Sequence, residues 1–254
     1  MKGFAAFLSK ELRETAHTWR IWVLPGFVLF AALSSPIITY LMPTLADTLG
    51  SMPQGFAISV PDPSALAAYI EYLHNLGELV MFALVIAYGG IVSSEVRAGT
   101  AALALAKPLS RGAFVLGKWL SQVLVIAVAA VAATAVCVAV TAALLGLGPA
   151  QEAIAAVGLW FVYATMFLSV MVLLSAVLAA PAAAAGAGIG VYASVAILTQ
   201  FEATSRMTPA GLMPAADAVL AGEPAHWQMP VATGIVVSAV CLAAAVWRFS
   251  RREI

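Results

Sequence analysis

Three side chains that could bind a metal ion share one face of a predicted helix. Glu71, His74 and Glu78 stand at positions i, i+3 and i+7, and this spacing brings side chains to the same side of a helix. Carboxylates and imidazoles are common metal ligands. The alternative, which we favour, is a polar helix end that faces water at the outer face of a membrane.

A second run resembles part of a nucleotide-binding motif. Residues Gly112–Lys118 have the sequence GAFVLGK, which fits the first seven positions of a phosphate-binding loop. The next residue is Trp119, where such a loop needs Ser or Thr to bind Mg²⁺. A buried strand should also precede the loop, whereas this run leads into a long apolar segment. We therefore expect no nucleotide site here and place Lys118 and Trp119 at the membrane interface.

The remaining reactive side chains form no catalytic pattern. The histidines are His17, His74 and His226, and none of them lies in the middle of an apolar segment. Cys137 and Cys241 both lie in apolar runs and lack the spacing of metal ligands. The sequence thus predicts no catalytic, cofactor-binding or metal-binding residues, and a chain that is not an enzyme by itself.

The composition of this chain is unlike that of a soluble protein. Of its 254 residues, 63% are hydrophobic and 9% are charged, whereas soluble domains carry about 25% charged residues. A soluble globular fold and intrinsic disorder are both excluded. Nucleic acid is excluded as a partner, because the sequence has no concentrated basic face.

The uncharged stretches define the membrane spans, since a spanning helix needs about 20 apolar residues. The 49 uncharged residues between Glu152 and Glu202 would form one helix of about 74 Å, so this stretch must fold back, and Pro181 marks the break. The sequence predicts a single all-α transmembrane domain over residues 1–254, with six helices at about residues 21–42, 75–94, 119–147, 154–179, 182–200 and 230–247. The connections are a cytoplasmic loop at 95–118 and outer loops at 43–74 and 201–229. The first outer loop is expected to contain a short helix from Ser64, and the second is expected to contain short helices.

The first twenty residues contain six charged side chains and no apolar core, so they do not form a secretory signal. Four of their apolar side chains recur at helical spacing: Phe4, Phe7, Leu8 and Leu12. The charged side chains lie on the opposite side of the predicted helix. This pattern is typical of an amphipathic helix at a membrane interface, although a solvated helix is the alternative. With both termini cytoplasmic, eleven of the twelve Lys and Arg residues lie inside and only Arg206 lies outside, in agreement with the positive-inside rule.

The loop between the second and third predicted spans has the most specific sequence pattern in the chain. It contains SEVRAGT at residues 94–100 and KPLSR at residues 107–111. Thr100 could cap a short helix over residues 101–106, which Pro108 would end. Such a helix, with charged flanks, could dock a partner protein. The alternative is a surface loop whose cations only determine topology.

The pattern EVRAGT…KPLSR…GK resembles the permease subunits of type-2 ABC exporters, the ABC-2 family, and the resemblance in layout covers the whole chain. It implies a bacterial plasma-membrane permease in which two six-span subunits, identical or different, surround a translocation path. Each would dock a separate cytosolic ABC ATPase, in two copies, which binds ATP and Mg²⁺; membrane lipids are further partners. The implied docking and coupling residues are Glu95, Arg97, Gly99, Thr100, Leu103, Leu105, Lys107, Pro108 and Arg111.

The sequence therefore favours the transmembrane subunit of an ATP-driven exporter, and Glu78 is a candidate residue of the path because acids within membranes are often functional. The alternative is a membrane assembly or maturation factor that recruits an ATPase without transporting a substrate itself. The substrate stays open among drugs, lipids, peptides and ions, since an apolar path has no signature.

Overall fold

The computed structural model describes residues 2–16, 20–49, 62–100 and 110–251, and within these ranges the regular structure is helical. The chain begins with α1 (Lys2–Ala16) and α2 (Arg20–Leu49). The next unit is continuous: α3 (Ala65–Asn75), a π-helical segment (Leu76–Val80) and α4 (Met81–Tyr88). A turn then leads into the short helix α5 (Ser93–Arg97).

Longer helices make up most of the second half. They are α6 (Arg111–Leu145), α7 (Ala150–Val177), α8 (Pro181–Leu198) and α11 (Gln228–Ser250). Between α8 and α11 lie α9 (Glu202–Met207), a 3₁₀ turn (Pro209–Gly211) and α10 (Leu212–Leu220).

Within the part of the chain that the structure describes, six stretches are long and apolar enough to cross a membrane: Trp22–Leu45, Ala65–Arg97, Arg111–Leu145, Ala150–Val177, Pro181–Leu198 and Gln228–Ser250. This agrees with the six all-α spans that the uncharged stretches predict.

The second span differs most from the sequence prediction. We predict a short helix from Ser64 within the outer loop and a separate span that begins near residue 75, whereas the structure has one continuous helix that begins at Ala65. Ser64 caps it, since the Ser64 hydroxyl accepts a hydrogen bond from the Ala67 amide at 3.1 Å. The π-helical segment then joins α3 to α4 without a break. Glu78 therefore lies thirteen residues beyond the start of the helix.

The break between the fourth and fifth spans falls at residues 178–180, directly before Pro181. Proline is favourable as the first residue of a helix because the missing amide would have no helical partner there. The start of α8 packs closely on Gly89, where an added Cβ atom would come within 2.8 Å of the Pro181 carbonyl oxygen. A residue with a side chain would push these two helices apart.

The described helices have two distinguishable ends. At one end, which we call the α1 end, α1 packs against α6, and Arg111 of α6 donates to the Ser250 carbonyl of α11 at 2.8 Å. At the other end, the far end, the Tyr69 hydroxyl donates to the Leu147 carbonyl at 2.9 Å. The α1 end holds the larger share of the described lysine and arginine side chains: Lys10, Arg13, Arg97, Arg111, Lys118, Arg248 and Arg251, against Arg206 at the far end.

The apolar face of α1 contacts the rest of the chain. Phe7 is buried, and its ring lies 5.6 Å from that of Phe114 in α6, which stacks in turn on Phe249 of α11 at 5.2 Å. At least part of the stripe that predicts an amphipathic helix thus packs on protein. The location of α1 at a membrane interface stays a prediction.

Candidate functional site

The residues that the sequence predicts at the coupling junction lie at the α1 end. Glu95 and Arg97 belong to α5, and Gly99 and Thr100 follow that helix directly. Arg111 is the first residue of α6. The other predicted docking residues, and the predicted helix over 101–106, lie outside the described residues: Leu103, Leu105, Lys107 and Pro108.

A serine from another helix holds the start of α5. The backbone amides of Val92 and Ser93 both donate to Oγ of Ser175 in α7, each at 3.0 Å, and the Ser175 hydroxyl lies 3.2 Å from Oγ of Ser93. These amides would otherwise have no helical acceptor, because the first N–H groups of a helix are unpaired. Ser175 thereby positions the short helix that carries Glu95.

Glu95 meets a lysine and a second glutamate in a buried ionic group. Lys118 Nζ donates to Glu11 Oε2 of α1 at 2.8 Å and also to Glu95 Oε1. The three side chains are 4%, 6% and 18% exposed, respectively. We call Lys118, Glu11 and Glu95 the Lys118 cluster. A buried charge is costly without a partner, so the cluster holds α1, α5 and α6 in one arrangement.

Lys118 is buried within the protein, and its position at the membrane interface stays a prediction. The run Gly112–Lys118 is helical from its first residue, so it provides no loop that could surround a phosphate. An added Cβ atom at Gly117 would lie 2.7 Å from the Phe7 ring, and the Lys118 ammonium lies 5.1 Å from the centre of the Phe114 ring. The Gly-Lys pair thus serves the docking of α1 onto α6.

A hydrogen-bonded chain continues this docking one turn further along α6. Nε2 of Gln122 donates to the Thr15 hydroxyl of α1 at 3.0 Å, and the Tyr88 hydroxyl donates to Oε1 of Gln122 at 3.1 Å. Gln122 is 5% exposed and Tyr88 is 1% exposed. Buried polar groups need such partners, and here they connect α1 to α4 through α6.

The turn after α5 is formed by the other predicted residues. Gly99 has a φ of +72°, a left-handed conformation that favours glycine after a helix. The Thr100 hydroxyl donates to the Glu95 carbonyl at 3.3 Å, and the side chain of Arg97 is exposed. The structure therefore brings Glu95, Gly99 and Thr100 together, while Arg111 joins α6 to the end of α11.

Two lysines already occupy the carboxylates that come closest to forming a metal site. Among the described residues, Glu11, Glu14 and Glu95 form a group whose possible metal-ligand atoms all lie within 4.8 Å of one another. Lys118 pairs with Glu11 and Glu95, while Lys10 pairs with Glu11 at 3.0 Å and with Glu14. Burial opposes the charge of Lys10, but its hydrogen bonds to Glu14 and Glu11 outweigh this effect and raise its pKa. These ammonium groups supply the positive charge that a metal would bring.

The metal-ligand spacing at residues 71–78 does not produce a cluster among the described residues. Glu71 accepts a hydrogen bond from Asn75 at 3.1 Å, and His74 pairs with Asp217 of α10 at 3.7 Å. Glu78 lies in the π-helical segment and is exposed. The three side chains share a helix but not a common centre.

Sequence reasoning missed two residues of this junction, Glu11 and Gln122. Glu11 belongs to the charged side of a predicted amphipathic helix, where burial is not expected. Gln122 is a polar residue within an apolar segment, which is the one signal that could have indicated it, since polar groups within spans usually have partners. The same signal predicts from the sequence that Ser175 packs between helices, and the structure adds that its hydroxyl accepts the two amides at the start of α5.

Two comparisons with known proteins found sequences similar to this chain. A family model described as a protein of unknown function (DUF2705) matches residues 28–254. The chain is also similar to YxlG of Bacillus subtilis (strain 168), described as an uncharacterized transmembrane protein, with 29% identity over 122 residues that cover 48% of this chain and 47% of that protein. The match thus spans about half of the length of that relative. With a family match over most of its length and six helices suited to a bilayer, the chain is a multi-pass membrane protein that belongs to the DUF2705 family.

Proposed function

We propose that this chain is the transmembrane permease subunit of an ATP-driven exporter of the ABC-2 type. It forms the translocation path together with a second permease subunit and docks a separate ATPase, which binds ATP and Mg²⁺. The resemblance of residues 94–118 to this family motivates the proposal, and the geometry of the α1 end supports it.

The Lys118 cluster is the observation that carries the proposal. Glu95 precedes the segment 101–109, and Lys118 follows it, so their ion pair holds the two flanks of this segment together. Glu11 adds α1 to the same buried group. A motor subunit that pushes on such a segment would move α1, α5 and α6 as one unit, because separating the buried charges is unfavourable.

The distribution of charge supports the same end of the molecule as the docking side. Most of the described lysines and arginines lie at the α1 end, and membrane proteins keep such residues in the cytoplasm. The α1 end would then face the compartment that contains ATP. Both termini would then be cytoplasmic, which agrees with six spans, since an even number of spans puts the two termini on the same side.

Affinity purification tests whether an ATPase docks here. The tagged protein is purified in mild detergent from its native host, and the proteins that accompany it are identified by mass spectrometry and assayed for ATP hydrolysis. We expect an ABC ATPase in about equal amount. Replacing Leu103 and Leu105 together with Asp should remove it, because two charges in the apolar part of the proposed docking segment oppose burial against a partner.

A matched control changes apolar residues at the far end. Phe201 and Met207 are 58% and 72% exposed, so their double replacement with Asp should leave the ATPase bound. If the wild type brings down no ATPase, or if the Leu103/Leu105 variant retains it fully, the docking proposal is wrong. The alternative is tested by efflux. If the ATPase binds but substrate efflux is unchanged in cells that lack this chain, the assembly-factor alternative is favoured.

A further inference from the structure

Glu78 lies within the apolar depth of the helix bundle. The hydroxyl of Tyr192 donates to the Gly77 carbonyl at 2.7 Å, which places the Glu78 backbone level with Tyr192 of α8. Tyr192 is eleven residues after the start of α8 at Pro181 and six before its end at Leu198. At 1.5 Å per residue, these are about 16 Å and 9 Å. Glu78 is therefore inside the span of the shortest membrane-length helix.

The π-helical segment at Leu76–Val80 presents this carboxylate. A π-helical turn leaves the normal backbone pairing, and such turns are frequent at functional sites. Two side chains from neighbouring helices bond the carbonyls there: Nε1 of Trp160 donates to Leu76 at 2.9 Å, and Tyr192 donates to Gly77. These two hydrogen bonds hold the π-helical segment in place within the packed helices, since Trp160 is fully buried.

The side chain of Glu78 is on the outside of the single chain. It is exposed, as are Phe82 and Ile86, which follow one and two turns later at 46% and 49% exposure. Among the described residues, no lysine, arginine or histidine is within 4.0 Å of the Glu78 carboxylate. Ionisable groups at this depth face a protein interior or a water-filled cavity rather than lipid.

The groups around Glu78 suit one kind of ligand. The Tyr192 phenol is near enough to Glu78 for the two to interact electrostatically, and Phe82 is on the same exposed side of the helix. A carboxylate beside aromatic rings attracts an organic cation, because the ring faces and the carboxylate are all negative. The apolar surroundings select cations that carry a large hydrophobic part.

We propose that Glu78 binds the cationic group of a lipophilic organic cation, and that this class of molecule is the substrate of the permease. The assignment rests on the proposed transport function. Binding at Glu78 can be measured on this chain alone, so its failure is distinguishable from a failure to recruit an ATPase.

Equilibrium binding of radiolabelled tetraphenylphosphonium to the purified protein in detergent tests the proposal. We expect saturable binding to the wild type and an affinity about tenfold or more lower for Glu78→Gln, which keeps the shape of the side chain but removes the charge. Glu71→Gln is the matched control, since Glu71 is an exposed acid on the same helix bonded to Asn75; its affinity should equal that of the wild type. No saturable binding to the wild type, or equal losses in both variants, would overturn the proposal.

Chemical labelling in membranes tests whether the Glu78 face borders water. On a background with Cys137→Ala and Cys241→Ala, Glu78→Cys should react with a membrane-impermeant, charged methanethiosulfonate. Val131→Cys is the control, because Val131 is an apolar residue, 73% exposed, in the middle of the spanning helix α6. If Glu78→Cys is as unreactive as Val131→Cys, the carboxylate does not face an aqueous path and the assignment is wrong.

Discussion

Replacing Lys118 with Met removes the cation that Glu11 and Glu95 share. Methionine keeps much of the length and apolar character of the lysine stem, so the packing on Phe114 changes little. Removing one partner of a buried ion pair costs about 3–5 kcal/mol, because the remaining charge has no compensation. We expect about 3 kcal/mol, at the low end of that range, because Glu11 keeps Lys10 as a partner and Glu95 is 18% exposed.

The assay is thermal unfolding of the purified protein in detergent, with hydrogen exchange of the α1 amides as a local measurement. For a chain of this size, 1 kcal/mol corresponds to about 2–4 °C in Tm, so Lys118→Met should lower the Tm by about 6–12 °C. Exchange should accelerate in α1, which loses its link to α6. Lys10→Met is the control: Lys10 is 51% exposed, and exposed pairs contribute about 0–1 kcal/mol.

A third variant separates the loss of charge balance from the loss of a contact. In Glu11→Gln/Glu95→Gln/Lys118→Met, no charge of the Lys118 cluster remains, so most of the stability lost in Lys118→Met should return. The reasoning is refuted if Lys118→Met lowers the Tm no more than Lys10→Met does. It is also refuted if the triple variant is less stable than Lys118→Met.

Three further changes test other parts of the fold. Ser175→Ala leaves two buried amides without an acceptor and should cost about 2–3 kcal/mol, whereas the exposed Ser194→Ala should be neutral; denaturant titration compares them. Trp160→Phe removes the donor to the π-helical segment and should lower stability by about 1 kcal/mol, measured in the same titration. Burial raises the pKa of Asp217, against the opposing effect of His74. Its contribution to stability is therefore greatest in acid and is lost as the pH rises through that pKa, so Asp217→Asn should flatten the fall in Tm that occurs as the pH rises above the usual range of an aspartate.

Several features follow from the sequence because they depend on local properties. The length of an uncharged run sets whether a helix can cross the hydrocarbon core, so the six spans could be counted without coordinates. Proline at residue 181 is favourable as the first residue of a helix, and Ser64 has the side chain of a helix cap. The starting point of the second span was harder to predict, because a π-helical segment joins two stretches that differ in polarity.

The partners of the charged residues were decided by the tertiary structure alone. Glu11 and Lys118 are 107 residues apart in the chain, and each belongs to a helix whose own pattern predicts an exposed charge. Their burial depends on the packing of Phe7 against Gly117 and Phe114, which brings α1 onto α6. Likewise, the level of Glu78 in the bundle follows from the bond between Tyr192 and Gly77. Hydrophobic run length is encoded along the chain, whereas the pairing of buried charges depends on distances between helices that exist only after they pack.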